Sequence, residues 1–173
     1  MAREAEPDVF TENINVSDEI LAQCVAHLES IALSKTDLDA KGVGFEEFMD
    51  GFFKGDFGQY FTPRPLIQFA VEMMQPRRED LVLDPSCGSG GFLLYALDDI
   101  RHQADALFPD NETDPAQARD HYKYWHGFAQ NNLCGIEIND ENARVAKMSM
   151  IIHDDGSITF KRRFMKENSS DRN

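Results

Sequence analysis

No apolar run in this 173-residue chain approaches the roughly 20 residues needed to cross a bilayer, which argues against a membrane role. The opening Met1-Ala2-Arg3-Glu4-Ala5-Glu6-Pro7 lacks the apolar centre of a secretory signal, so the expected location is cytoplasmic. Cysteine is scarce: Cys24, Cys87 and Cys134 are odd in number and widely separated, which leaves no basis for a disulfide framework or a Cys-x-x-Cys metal site. The five histidines form no ligand spacing with them or with one another, and no metal is expected. Positive charge is also short, with 17 Lys and Arg against 31 Asp and Glu and a net charge of −14. A face that grips phosphates needs clustered cations, so extended contact with nucleic acid by this chain alone is disfavoured. Two common phosphate loops are missing as well, G-x-G-x-x-G and G-x-x-x-x-G-K-[ST].

What the chain does carry is Asp84-Pro85-Ser86-Cys87-Gly88-Ser89-Gly90-Gly91, set between the apolar run Leu81-Val82-Leu83 and the apolar stretch that starts at Phe92. It reads as a strand ending in a carboxylate, a tight glycine turn, and a helix. Glycine allows such a turn to bring backbone N–H groups and a helix N-terminus close to a small ligand. A second short strand, Leu133-Cys134-Gly135-Ile136-Glu137-Ile138, also ends in a carboxylate; Asn139-Asp140 caps a helix over residues 141–152. The order βαβα predicts a parallel sheet with right-handed crossovers.

The remaining segments frame this core. Ser17 and Asp18 cap a predicted helix over residues 19–33, with Ile20, Leu21, Val25, Leu28, Ile31 and Ala32 near the helical repeat. Residues 41–55 carry Phe45, Phe48, Met49, Phe52 and Phe53, which read as core. Thr62 and Pro63 have the form of an N-cap and a first helical residue, opening a helix to about Met74 that Pro76 closes. The aromatics just ahead of that cap suit either packing or ligand contact. Helix is predicted over 91–103. Residues 104–130, polar and with Pro109 and Pro115, read as an insertion holding a short helix near 116–125. A third strand could start at Ser157-Ile158-Thr159-Phe160, and residues 161–173 have the composition of a disordered tail.

In doubly wound folds the ligand lies beyond the carboxyl ends of the strands, so Asp84, the glycine turn and Glu137 are expected to face one crevice. A carboxylate in the position of Glu137 can accept both hydroxyl hydrogens of an adenosine ribose. Its distance along the chain from the first strand exceeds the usual ~20 residues, and the inserted segment accounts for the excess. Asp84 at the turn would repel a pyrophosphate but can pair with an amine. That contrast favours S-adenosylmethionine.

Three blocks, in order, resemble the modification subunits of type I restriction-modification systems, which are DNA adenine methyltransferases with a Rossmann-like core and an N-terminal helical region. Residues 58–64 look like their G-[QE]-[FY]-[FY]-T-P-R element, and residues 84–93 look like D-P-x-C-G-S-G-G-F-L. Gly135-Ile136-Glu137-Ile138, with Ala143, Ala146-Lys147-Met148 and His153, is similar to the next block. The resemblance covers about 41–156. It implies an α/β Rossmann-like methyltransferase core with a truncated parallel sheet, divided as an N-terminal helical region over 1–57, a cofactor-binding core over 58–160 and a tail over 161–173.

The resemblance further implies S-adenosylmethionine as cofactor, held by Gln59, Tyr60, Phe61, Thr62, Pro63, Arg64, Asp84, Ser89, Gly90, Gly91 and Glu137. Thr62 and the following helix N-terminus would lie near the methionine carboxylate, Asp84 near the amine, Glu137 on the ribose and Asp155 near the adenine. Expected partners are double-stranded DNA, through a full complex, and the specificity and restriction subunits. The family's target-base element, [ND]-P-P-[FY], is missing: the seven prolines include no adjacent pair. The expected function is therefore the cofactor-binding half of an adenine methyltransferase, with catalytic residues unassigned. The alternative is a remnant that binds S-adenosylmethionine or a subunit without catalysis.

Overall fold

The computed structural model describes residues 15–31 and 62–153. In the helix α1, Asp18–Leu28, Ser17 caps the start by accepting the Ile20 N–H, Asp18 and Glu19 favour its positive N-terminal end, and none of its residues is buried. It is shorter than the predicted 19–33, and its apolar face, expected to be structural, is exposed. The stretch over 41–55, the third strand and the tail lie outside the described residues.

From residue 62 the order is α2 (Arg64–Met74), β1 (Val82–Asp84), α3 (Gly91–Leu107), α4 (Pro115–Asn131), β2 (Leu133–Gly135) and α5 (Asp140–Ile152). β1 and β2 pair in parallel, with Val82 opposite Leu133, Leu83 opposite Cys134 and Asp84 opposite Gly135. The parallel pairing agrees with the expected βαβα order. Helix dominates around this two-stranded ladder, and no helix among the described residues is long and apolar enough to cross a membrane.

The core is built on one side of the ladder. Leu93, Leu94, Ala96, Leu97, Ile100 and Ala104 from α3 meet Trp125, Phe128 and Ala129 from α4, Leu133 from β2 and Met150 from α5. Leu93, Leu97, Ile100 and Ala104 recur at spacings of three and four, so one stripe of α3 is fully enclosed. This corrects the reading of 104–130 as a polar insertion with a short helix. Asp114 caps a 17-residue helix through the Ala116 N–H, Pro115 takes its first position, and Trp125, Phe128 and Ala129 carry its inner face. Averaged over the segment, the polar outer face hid that stripe.

Two arginines fasten α4 to its surroundings. The Arg101 guanidinium lies 4.3 Å from the Trp125 ring centroid, and Arg78 lies 4.9 Å from that of Tyr124. Asn132, closing α4, donates to the carbonyls of Arg78 and Asp80 ahead of β1. The end of α4 thereby fixes where β1 begins.

Candidate functional site

The chain leaves β1 at Asp84 and turns into α3 through two glycines with positive φ, Gly88 at +52° and Gly90 at +86°. Asp84 Oδ1 accepts the Ser86 N–H at 3.0 Å, which bends the chain at once after the strand. The Cys87 N–H donates to the Ile136 carbonyl at 3.0 Å, and the Ile136 N–H to the Asp84 carbonyl at 2.8 Å, so the ladder's pairing continues past both strands. Gly90 then donates to the Cys87 carbonyl at 2.7 Å and closes the turn.

Glu137 lies two residues beyond β2 rather than within a strand reaching Ile138. Its carboxylate joins the two strand ends: one oxygen accepts the Gly88 N–H at 3.0 Å, the other the Asn139 N–H at 2.8 Å. Asn139 in turn caps α5, accepting from Glu141 and Asn142. Asp84 and Glu137 are thus brought to one end of the ladder, as the strand order requires.

Burial pushes the Asp84 carboxyl above its ordinary value of 3.8; the Ser86 N–H opposes this, and the negative charge of Glu137 adds to it. The Cys87 thiol is driven up to about 12, first by burial and then by the Asp84 and Glu137 charges, so it is a neutral, inert thiol at pH 7. Two acceptor carboxylates thus stand at one end of the ladder, which suits a ligand bearing a cation and hydroxyl donors.

The three glycines have different surroundings. A Cβ on Gly91 would sit 2.8 Å from the Ile67 Cδ1 of α2, and one on Gly90 would touch Ala146 of α5 at 3.5 Å. Gly91 is required by the close approach of α2 and Gly90 by its positive φ, the Ala146 contact being an ordinary one. Gly88 alone of the three has open space where a Cβ would be, with nothing within 4 Å. Its N–H is the one that Glu137 holds, and in the sequence it stands between the Asp-Pro entry and the glycine pair. Ser89 sits half-buried between Gly88 and Gly90.

The Thr-Pro start of α2 also shifts. Pro63, not Thr62, is the cap, Arg64 is the first helical residue, and no side chain caps the end. The reason is the second proline: Pro65 falls in the first turn, where a missing N–H is tolerated, and the Pro63 carbonyl takes the Leu66 N–H at 2.9 Å. Thr62 is exposed. Through Ile67 this helix is pressed on Gly91, which places its start beside the turn. The N-terminus of α3 carries no side-chain cap and no acidic residue in its first turn. Gln59, Tyr60, Phe61 and Asp155 lie outside the described residues.

The family model for N-6 DNA methylases matches residues 37–170. The chain is 32% identical over 101 residues to the type I restriction enzyme EcoKI methylase subunit of Escherichia coli K12, a match covering 58% of this chain and 17% of that protein. It is 34% identical over 125 residues to the type II restriction enzyme and methyltransferase BcgI of Heyndrickxia coagulans, covering 71% of this chain and 17% of that one. A solved modification subunit from Vibrio vulnificus YJ016, assigned to a type I restriction enzyme, superposes with a TM-score of 0.57 at 24% identity over 87% of this chain and 29% of that chain; it speaks for the fold. The chain spans 17% of the length of the two relatives named. Since the family match runs through α2, the glycine turn, the Glu137 bridge and α5, the chain belongs to the N-6 DNA methylase family.

Proposed function

We propose that this chain is the S-adenosylmethionine-binding part of a Rossmann-like DNA adenine methyltransferase of the type I modification kind. The observation that carries the reading is the Glu137 bridge to Gly88, which brings two strand-end carboxylates and an open glycine turn to one place. When bound, the cofactor supplies a methyl group already activated by its sulfonium, so the protein's task is chiefly alignment.

In this reading Asp84 pairs with the cofactor's amine, and the charge it gains as a partner offsets the burial that raises its carboxyl. Glu137 accepts from the ribose hydroxyls while keeping its backbone partners, because each carboxylate oxygen can accept a second hydrogen bond. Gly88 leaves the space the ligand needs, and Ser89 with the uncapped start of α3 gives polar N–H groups for the methionine carboxylate. Gly90 and Gly91 act one step back, setting α5 and α2 against the turn. Thr62, Pro63 and Arg64, with Gln59, Tyr60 and Phe61 before them, form the wall on the α2 side.

The substrate is an adenine amino nitrogen, which must leave the duplex stack to reach the methyl group. The net charge of −14 means that specificity and restriction subunits of the complex would provide most of the grip on DNA. Titration calorimetry with S-adenosylmethionine tests the reading: binding is expected, with Asp84→Ala and Glu137→Ala each weakening it at least tenfold. No binding, or unchanged affinity in both variants, overturns it. Methyl incorporation into DNA, with and without a specificity subunit, then separates an enzyme from a module that only binds the cofactor.

A further inference from the structure

Two side chains seat α2 on the core. Of its 11 residues only Ile67 and Val71 are buried, at 5% and 3% exposure, and their spacing of four puts both on one narrow stripe. The far end of the helix is tied down by polar groups as well. Gln75, with a φ of +48°, donates its N–H to the Val71 carbonyl at 2.9 Å. Gln103 of α3 donates to the Pro76 carbonyl at 2.8 Å, and Asp99 accepts from the same amide nitrogen at 2.9 Å. At the start, by contrast, no side chain caps the helix, and the Pro63 carbonyl takes the N–H groups of Leu66 and Ile67. Ile67 is the first buried residue met from that end.

What Ile67 meets is Gly91, the first residue of α3 and the last glycine of the turn. A Cβ there would stand 2.8 Å from the Ile67 Cδ1. Carbon atoms in ordinary contact keep about 3.5–4.0 Å, so a methyl group at this position forces a displacement of roughly 1 Å. A buried, β-branched isoleucine is stiff at χ1 and has packed neighbours, so part of that displacement passes to the α2 backbone. With the Pro76 end anchored, the helix answers by tilting. At roughly 1.5 Å per residue Ile67 lies about 13 Å and Thr62 about 20 Å from that anchor, so the start of α2 moves about half as far again as Ile67 does. Gly91 is not among the glycines of positive φ, so alanine suits its backbone and is the better helix former. The conflict in size is therefore separate from any backbone strain.

We propose that Ile67 is a positioning residue: its contact with Gly91 sets how closely the start of α2 stands to the glycine turn, and through that distance the strength of S-adenosylmethionine binding. This rests on the cofactor reading above, in which Thr62, Pro63 and Arg64 form one wall of the site and Asp84, Gly88 and Glu137 line the other. Ile67 acts through α2 and not by contact with the ligand. Because the contact is a fit in size, a methyl group added on one side is offset by one removed on the other.

The test is that swap in the full chain, read by titration calorimetry with S-adenosylmethionine and by the amide NMR signals of Thr62, Arg64 and Leu66. Gly91→Ala is expected to weaken binding at least fivefold and to shift those signals. Adding Ile67→Val, which removes the touching Cδ1, should return the affinity to within twofold of the parent and move the signals back. Ile67→Val alone leaves the contact loose and should weaken binding two- to threefold; it carries the comparison if Gly91→Ala does not fold. Parent-like binding by Gly91→Ala, a double variant that regains its melting temperature but not its affinity, or Ile67→Val with affinity and signals unchanged each overturns the proposal. A parent that does not bind overturns the cofactor reading instead, and the NMR signals, which need no ligand, then decide whether the contact sets the place of α2.

Discussion

The two faces of one short parallel ladder carry equally apolar residues to opposite ends. On one face Leu133 sits beneath α3 and α4 and is 2% exposed; on the other Leu83, one residue from Val82, is 57% exposed. The chemistry of the side chains is the same, so what separates them is which face the helical connections reach. The crossover from β1 to β2 passes through α3 and α4, and its fixed hand assigns both helices to a single side. The glycine turn lies at the boundary: its backbone is tied to β2 and its Cα atoms are pressed by helices from the covered side, while Gly88 faces open space.

The contrast can be broken most directly at its two extremes. Leu97→Ala, at a fully enclosed position of α3, is expected to destabilise the fold by about 2–5 kcal/mol in urea denaturation, whereas Leu83→Ala should change it by less than ~0.5 kcal/mol. A large loss at Leu83 would show that the face is covered after all. Next in size, Gly90→Ala should lose about 1–2 kcal/mol from its φ of +86°, since Ala146 at 3.5 Å leaves room for the methyl group itself. Gly90→Asn should recover part of this, because asparagine tolerates that conformation better. Asn139→Ala, which uncaps α5 but keeps the backbone N–H that Glu137 accepts, should destabilise by ~1 kcal/mol and leave S-adenosylmethionine affinity nearly unchanged.

Asp84 sharpens the comparison through pH. Its carboxyl is raised in the folded state, so its contribution to stability is complete below 3.8 and is lost as pH rises through the raised value. At neutral pH, Asp84→Asn is therefore expected to stabilise the free protein and flatten that part of its stability curve, while weakening cofactor binding. A variant that loses both stability and affinity would contradict the assignment. The smallest effect is kinetic: alkylation of the native protein should proceed fastest at the exposed Cys24, more slowly at Cys134 and last at Cys87, whose thiol is both buried and held near 12.

Much of the site was legible because local chemistry imposed it. An Asp-Pro entry followed by closely spaced glycines admits few backbones, and the apolar runs of 81–83 and 133–138 on either side of helical stretches left a parallel pair as the natural outcome. The Asn139 cap was visible for the same reason. The start of α2 was misplaced by one residue because two prolines compete for the first turn, and the choice between them depends on which carbonyl meets the Leu66 N–H. The full helix over residues 115–131 is hidden in the sequence because a polar average conceals one apolar stripe when its packing partners come from other elements.

The roles of the three glycines were beyond sequence, since what a Cβ would strike at Gly90 and Gly91 belongs to α5 and α2. The sequence by itself determined the local acts: where strands and helices form, where the chain turns, and which carboxylates end the strands. Only the tertiary structure decided that Glu137 reaches across to Gly88, that burial and Glu137 together hold the Asp84 carboxyl up, and that Leu83 is exposed while Leu133 is buried. Those depend on distances between elements far apart in the chain, which hydrophobic pattern and turn chemistry constrain without fixing.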